Sequence, residues 1–167
     1  MLKFVDFRIC FQEVPDEISL CINLSGCPHR CKGCHSAYLQ EDVGEELTKE
    51  KLKELVDKHP GITCVCFMGG DNDIPWLTTL AQYARNRYQL KTAWYTGLQF
   101  TPQIDRPACQ FFDYIKTGPY VEDLGPLNSS HTNQRFYTKG SSMKKMDANP
   151  HMWYDTTDKF WVDESKD

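Results

Sequence analysis

Three of the chain's eight cysteines, Cys27, Cys31 and Cys34, lie within eight residues at the spacing C-x3-C-x2-C. This spacing places three thiols on one tight loop, and thiolates are the usual ligands of iron–sulfur clusters and structural zinc. Four disulfides in a secreted protein would also use an even number of cysteines, but Met1–Asp6 does not resemble an export signal. Bunched cysteines in a reducing compartment indicate metal or redox chemistry. The cluster therefore predicts a small cytoplasmic metalloprotein.

The number of ligands in this loop is as informative as their type. Three thiolates can hold three corners of an iron–sulfur cube, whereas a closed electron-transfer cluster or a structural zinc site uses four protein ligands. Three ligands leave one metal position open for substrate or cofactor chemistry. Gly26 and Gly33 would let the backbone curl close to the metal group. A zinc site completed by His35 or by a distant cysteine is the main alternative that this spacing leaves open.

Composition excludes several classes of protein. The formal net charge is −4 and the sequence pI is about 5.7, which argues against a nucleic-acid-binding protein. No apolar run approaches the roughly 18 residues of a membrane span. Hydrophobic residues make up 40% of the 167 residues, enough for the core of about one domain.

Hydrophobic periodicity predicts an α/β fold, because strand and helix patterns alternate through the middle of the chain. The run 62–68 is apolar on both faces, as in a buried parallel strand. The predicted strands are 2–11, 18–24, 62–68, 91–95, 111–116 and 135–138, and the predicted helices are 49–58 and 75–88. A domain over 1–140 would then be followed by an aromatic tail, 141–167, packed on the domain or on a partner.

Two of the predicted parallel strands end in segments that suit a ligand site. Gly69-Gly70-Asp71 follows 62–68, and Thr96 follows 91–95. Ligands of open α/β sheets bind at the carboxyl ends of the strands. An ordinary turn and a strand-end hydroxyl are the alternatives for these two segments. The remaining thiols are interpreted as small packing residues, and they are Cys10, Cys21, Cys64, Cys66 and Cys109.

Together these motifs resemble the radical S-adenosylmethionine (SAM) enzymes. The family usually has an aromatic residue before the third cysteine. Here Gly33 stands there and His35 follows, as in activating enzymes of glycyl-radical proteins. Met68–Asp71 is similar to the family's Gly-Gly-Glu/Asp motif. The late segments 113–124 and 128–135 resemble the anaerobic ribonucleoside-triphosphate reductase activating proteins, and the resemblance spans roughly residues 15–138.

The resemblance implies a fold, two cofactors and their binding residues. The fold would be an incomplete, open (β/α) barrel of radical SAM type with mostly parallel strands, since a full barrel needs about 250 residues. A [4Fe-4S] cluster on Cys27, Cys31 and Cys34 would reductively cleave SAM. Cofactor contacts are expected from Gly33, Cys34, His35, Gly69, Gly70, Asp71 and Thr96. His29 is expected to be a solvated neighbour of the cluster.

The resemblance also implies partners. The protein substrate would be the large glycyl-radical subunit of an anaerobic ribonucleoside-triphosphate reductase, which would cover the open side of the site. A one-electron donor such as a flavodoxin would supply the electron, and neither nucleic acid nor a membrane is expected as a partner. Alternatives are an activase of another glycyl-radical enzyme, such as a formate-lyase type, a small-molecule radical SAM enzyme, and a non-catalytic zinc-binding module.

Overall fold

The computed structural model describes residues 1–102 and 107–161. Its centre is one eight-stranded mixed sheet with the order β3-β1-β2-β4-β5-β6-β7-β8. The strands are β1 (Lys3–Cys10), β2 (Ser19–Leu24), β3 (Glu45–Glu46), β4 (Cys64–Met68), β5 (Lys91–Tyr95), β6 (Tyr114–Thr117), β7 (Arg135–Lys139) and β8 (Trp153–Asp155). The α-helices of the described residues are α1 (Lys49–Asp57) and α2 (Ile74–Tyr88).

The centre of the sheet is parallel and its flanks are antiparallel. β2, β4, β5 and β6 pair in parallel, and α1 and α2 connect β2 to β4 and β4 to β5. The β1–β2 connection is too short for a parallel crossover, so these strands form an antiparallel pair. The incomplete barrel of radical SAM type with mostly parallel strands stays a prediction, with parallel pairing observed only in the central strands.

The helix boundaries follow from side-chain caps. Thr48 precedes α1, and its hydroxyl accepts a hydrogen bond from the Lys51 amide at 3.0 Å. Asp73 caps α2 by accepting from the Trp76 amide at 3.2 Å, and Pro75 occupies the first turn. Both predicted helices are confirmed to within one residue at each end.

One predicted strand is displaced in the structure. The sequence pattern predicts a strand over 111–116, but β6 covers Tyr114–Thr117 and a 3-10 helix covers Pro107–Phe111. The Asp113 carboxylate accepts a hydrogen bond from a backbone amide of β5 at 2.9 Å, which fixes the chain just before β6 begins. Phe112 is nonetheless fully buried, so its hydrophobicity reports core packing and not strand geometry.

The two faces of the sheet have different cores. α1 and α2 cover one face, where Phe67 of β4 belongs to the same buried cluster as Leu52 of α1 and Leu77 of α2. The opposite face carries a smaller core that includes Cys66 of β4 and Phe136 of β7. Loop residues and the tail cover this second face, so the sheet is buried on both sides at its centre.

The described part of the tail adds to the sheet. β8 pairs antiparallel with β7, and Phe160 packs on Phe136 with 4.8 Å between ring centroids. Residues 162–167 of the predicted tail lie outside the described residues, and the division at residue 140 stays a prediction. Within the described ranges, no helix is long and apolar enough to cross a membrane.

Candidate metal centre

The cysteine loop directly follows β2 and is closed at its base by backbone hydrogen bonds. The Gly26 amide donates to the Glu41 carbonyl at 3.0 Å, and the Cys27 amide donates to the Leu39 carbonyl at 2.9 Å. Gly26 has φ +76°, and a Cβ there would lie 2.8 Å from Nδ2 of Asn72. The end of the flexible Asn72 side chain can move aside, so it is the positive φ that favours glycine at this position.

Cys27, Cys31 and Cys34 are free and half-buried on this loop. Burial raises the pKa of Cys27, while a backbone hydrogen bond from His29 opposes that increase. In the part of the chain that the structure describes, the sulfur atoms of these three cysteines do not all lie within 4.8 Å of one another. A tetrahedral zinc ion would hold its sulfur atoms about 3.8 Å apart, whereas a four-iron cube holds each thiolate on a different iron.

A cavity of about 200 Å³ joins the cysteine loop to the carboxyl ends of the parallel strands. Parallel strands end at the same edge of a sheet, so segments distant in sequence meet there. The cavity is lined by the three cysteines and by residues at the ends of three strands: Met68–Asp71 at the end of β4, Tyr95–Gly97 at the end of β5, and Lys116 and Gly118 at the end of β6.

The turn after β4 aims an acidic side chain at the cavity. Gly69 and Gly70 have φ +112° and +102°, a conformation that favours glycine. Asp71 follows with a side chain only 4% exposed. Its Oδ2 accepts from Nε2 of His29 at 2.5 Å and from the Gly97 amide at 3.0 Å. Its Oδ1 is buried and has no hydrogen-bond partner among the described residues, which leaves an acceptor for a cationic ligand.

Lys116 is a functional candidate that sequence reasoning missed. Its Nζ donates to the carbonyls of Thr96 at 3.1 Å and Gly118 at 3.0 Å. Burial lowers its pKa to about 8, although Asp71 and the loop thiols act in the opposite direction. An ammonium has three N–H donors, so one remains for an anionic ligand. The sequence offered one signal for Lys116, which is that this residue ends the predicted strand 111–116.

The structure brings most of the predicted site residues together. Those that line the cavity are Cys27, Cys31, Cys34, Gly69, Gly70, Asp71 and Thr96. The Thr96 hydroxyl accepts from the Leu98 amide at 3.0 Å, so it also shapes the turn after β5.

Gly33 and His35 are not among the residues that line the cavity. Both are exposed, and the His35 ring lies 5.7 Å from the Tyr120 ring, so their contacts with a cofactor stay a prediction. His29, expected to be solvated, lines the cavity instead, because the buried Asp71 carboxylate holds its ring. The sequence alone does not show that long-range partner.

Comparisons with known proteins agree with a cluster-binding chain. No curated protein and no solved structure gives a significant match. The model of the 4Fe-4S single cluster domain family matches residues 18–145, well over half of the 167 residues. The match includes the cysteine loop and the four parallel strands that form the cavity. The chain therefore belongs to the 4Fe-4S single cluster domain family.

Proposed function

We propose that the chain is a radical SAM activating enzyme. It would reductively cleave SAM at a [4Fe-4S] cluster and generate a glycyl radical on an anaerobic ribonucleoside-triphosphate reductase. The observation that carries this proposal is the unpaired, buried Oδ1 of Asp71 in the same cavity as the three-cysteine loop. A cluster used only for electron transfer has no need of such an acceptor.

The charges at the cavity fit the amino-acid end of SAM. Asp71 offers a free carboxylate oxygen for the α-ammonium group, and Lys116 retains one N–H for the α-carboxylate. Hydrogen bonds between charged partners are stronger than neutral ones. Cys27, Cys31 and Cys34 would hold three irons and leave the fourth for SAM.

The bound cluster and SAM supply the chemistry, in which one electron breaks the sulfonium S–C5′ bond and yields a group that abstracts hydrogen. The chain itself binds and orients these groups. His29 and the Gly97 amide fix one oxygen of Asp71, so the other keeps a defined position. Leu39 and Met68 contribute apolar wall that limits water near the reacting atoms.

The choice of partner rests on the resemblance of the late segment. Gln134 in this segment lines the cavity, and Nδ2 of Asn133 donates to the Pro119 carbonyl at 3.0 Å. The segment that resembles reductase activating proteins therefore forms part of the cavity wall. A glycine-bearing loop of the reductase would enter from the carboxyl edge of the sheet and exclude solvent from the site.

Electron paramagnetic resonance with candidate partners tests this proposal. The reconstituted protein, SAM and a reductant are mixed anaerobically with the reductase large subunit or with a formate-lyase-type enzyme. We expect a glycyl-radical doublet on the reductase. Cys31→Ala should abolish it, whereas Cys64→Ala, which removes a thiol at the far end of β4, should retain it. A doublet only on the formate-lyase-type enzyme, or protein holding one zinc and no sulfide, would overturn the proposal.

A further inference from the structure

A second group of potential metal ligands lies away from the cysteine loop. Sγ of Cys10, Sγ of Cys21 and a carboxylate oxygen of Glu13 all lie within 4.8 Å of one another. Cys10 ends β1, Cys21 lies in β2, and Glu13 lies in the connection between them. Three potential ligands from consecutive segments therefore converge on the sheet face opposite the helices.

A fourth sulfur adjoins this group. Cys21 and Cys66 are register partners on β2 and β4, and their thiols are hydrogen-bonded. Sγ of Cys66 also lies 3.4 Å from Sδ of Met68. Cys10, Cys21 and Cys66 are all buried, with at most 7% exposure. Cys66 lies outside the group whose ligand atoms are all within 4.8 Å of one another, so its thiol must approach that group further to give the four ligands of a closed tetrahedral site.

The carboxylate is the feature that packing of small thiols does not explain. Oε1 of Glu13 accepts from the Arg8 guanidinium at 3.0 Å, and the Tyr95 hydroxyl donates to the Glu13 carbonyl. Arg8 is 63% exposed and uses only one of the two carboxylate oxygens. The backbone of Glu13 is therefore fixed, and one of its carboxylate oxygens lies within 4.8 Å of the sulfur atoms of Cys10 and Cys21.

Strand geometry favours a metal bridge over a disulfide. Cys10 pairs with Ser19 and Cys21 pairs with Arg8, so the two cysteines are diagonal neighbours on antiparallel strands. Such diagonal Cα atoms lie about 7–8 Å apart, beyond the usual disulfide range. Tetrahedral zinc with Zn–S bonds of about 2.3 Å separates its sulfur atoms by about 3.8 Å. Cys10, Glu13 and Cys21 need to contract by at most about 1 Å to reach that spacing, whereas Cys66 must move further.

We propose that Cys10, Glu13, Cys21 and Cys66 form a structural zinc site, separate from the cysteine loop. The mixed sulfur and oxygen ligands suit borderline Zn²⁺ better than Cu⁺, which prefers sulfur alone. Zinc would displace the thiol protons and join β1, β2 and β4 on one side of the sheet. This site does not depend on the proposed SAM chemistry.

Zinc retention by a full-length chain without the loop thiols tests the site. The protein carries Cys27→Ala, Cys31→Ala and Cys34→Ala, so the loop cannot take the metal. It is loaded anaerobically with zinc and desalted, and its zinc content and unfolding temperature are measured. We expect one zinc per chain and a higher unfolding temperature with zinc. Cobalt loading should give thiolate-to-metal charge-transfer absorption.

Two ligand substitutions and one control are added to that background. Glu13→Gln should weaken zinc binding by at least about tenfold while preserving the fold, because this side chain is half-buried. Cys21→Ala should abolish retention, and Cys64→Ala should leave it unchanged. Folded protein that retains no zinc, equal affinity in the Glu13→Gln protein, or a Cys10–Cys21 disulfide instead of metal would overturn the proposal.

Discussion

Asp71→Asn tests the proposed contact with the SAM ammonium group. The side chain is 4% exposed, its Oδ2 accepts two hydrogen bonds, and its Oδ1 has no partner among the described residues. Asparagine has nearly the same shape, so its oxygen can still accept from the Gly97 amide. Its NH₂ group would then occupy the place of Oδ1 and present a donor to an ammonium ion.

The expected loss is one hydrogen bond between charged groups, worth about 1.5–3 kcal/mol. At about 1.36 kcal/mol per tenfold change, SAM should bind about 10- to 150-fold more weakly. Equilibrium dialysis of SAM against anaerobically reconstituted protein measures this change. Iron and sulfide contents should stay at the wild-type level, because the three cysteines are intact.

Asp147→Asn is the matched control, because Asp147 is exposed and does not line the cavity. It makes the same chemical change and should leave SAM affinity unchanged. An Asp71→Asn protein that holds its cluster and binds SAM within about twofold of the wild type would refute the assignment of this carboxylate.

Three further predictions concern the same cavity. Cys31→Ala should lower iron and sulfide after reconstitution to background, whereas Cys64→Ala should keep both, as measured by metal and sulfide analysis; equal loss in the two proteins would contradict the assignment. Gly97→Ala should weaken SAM binding about tenfold or more. Its Cβ would lie 2.5 Å from the His29 ring and would disturb the contact of that ring with Asp71, whose hydrogen bonds are each worth about 1.5–3 kcal/mol. Unchanged SAM affinity in dialysis would contradict this prediction. Burial lowers the pKa of Lys116 from 10.5 to about 8, so the unfolded state binds more protons between about pH 8 and pH 10. The unfolding free energy of the cluster-free protein should therefore rise by about 2 kcal/mol over that range. Denaturant titrations of Lys116→Met should lack this rise in unfolding free energy. Identical dependence of the unfolding free energy on pH in the wild type and in Lys116→Met would contradict the prediction.

The central strands could be predicted because they are long runs with clear periodicity. The strand 91–95 matches β5 at both ends, and 62–68 contains β4. The short edge strands β3 and β8 were missed, since two or three residues carry too little periodicity to be recognised. Their pairing depends on neighbouring strands and not on their own sequence.

The candidate site was predictable where local sequence determines geometry. The glycines before Asp71 predict a turn, and the three cysteines predict a shared loop. The place of His29 in the cavity was not predictable, because it depends on a carboxylate 42 residues away in the sequence. The group formed by Cys10 and Cys21 was also missed, since only the strand register brings these thiols to Glu13.

The central claim is that this chain cleaves SAM reductively at a cluster held by its three-cysteine loop. Chromatographic measurement of 5′-deoxyadenosine, released by reconstituted protein with SAM and a reductant under anaerobic conditions, tests it most directly. The account predicts that 5′-deoxyadenosine forms with the wild-type protein and is absent with Cys31→Ala. Protein that holds four irons and four sulfides yet releases no 5′-deoxyadenosine, with or without the reductase subunit, would contradict it.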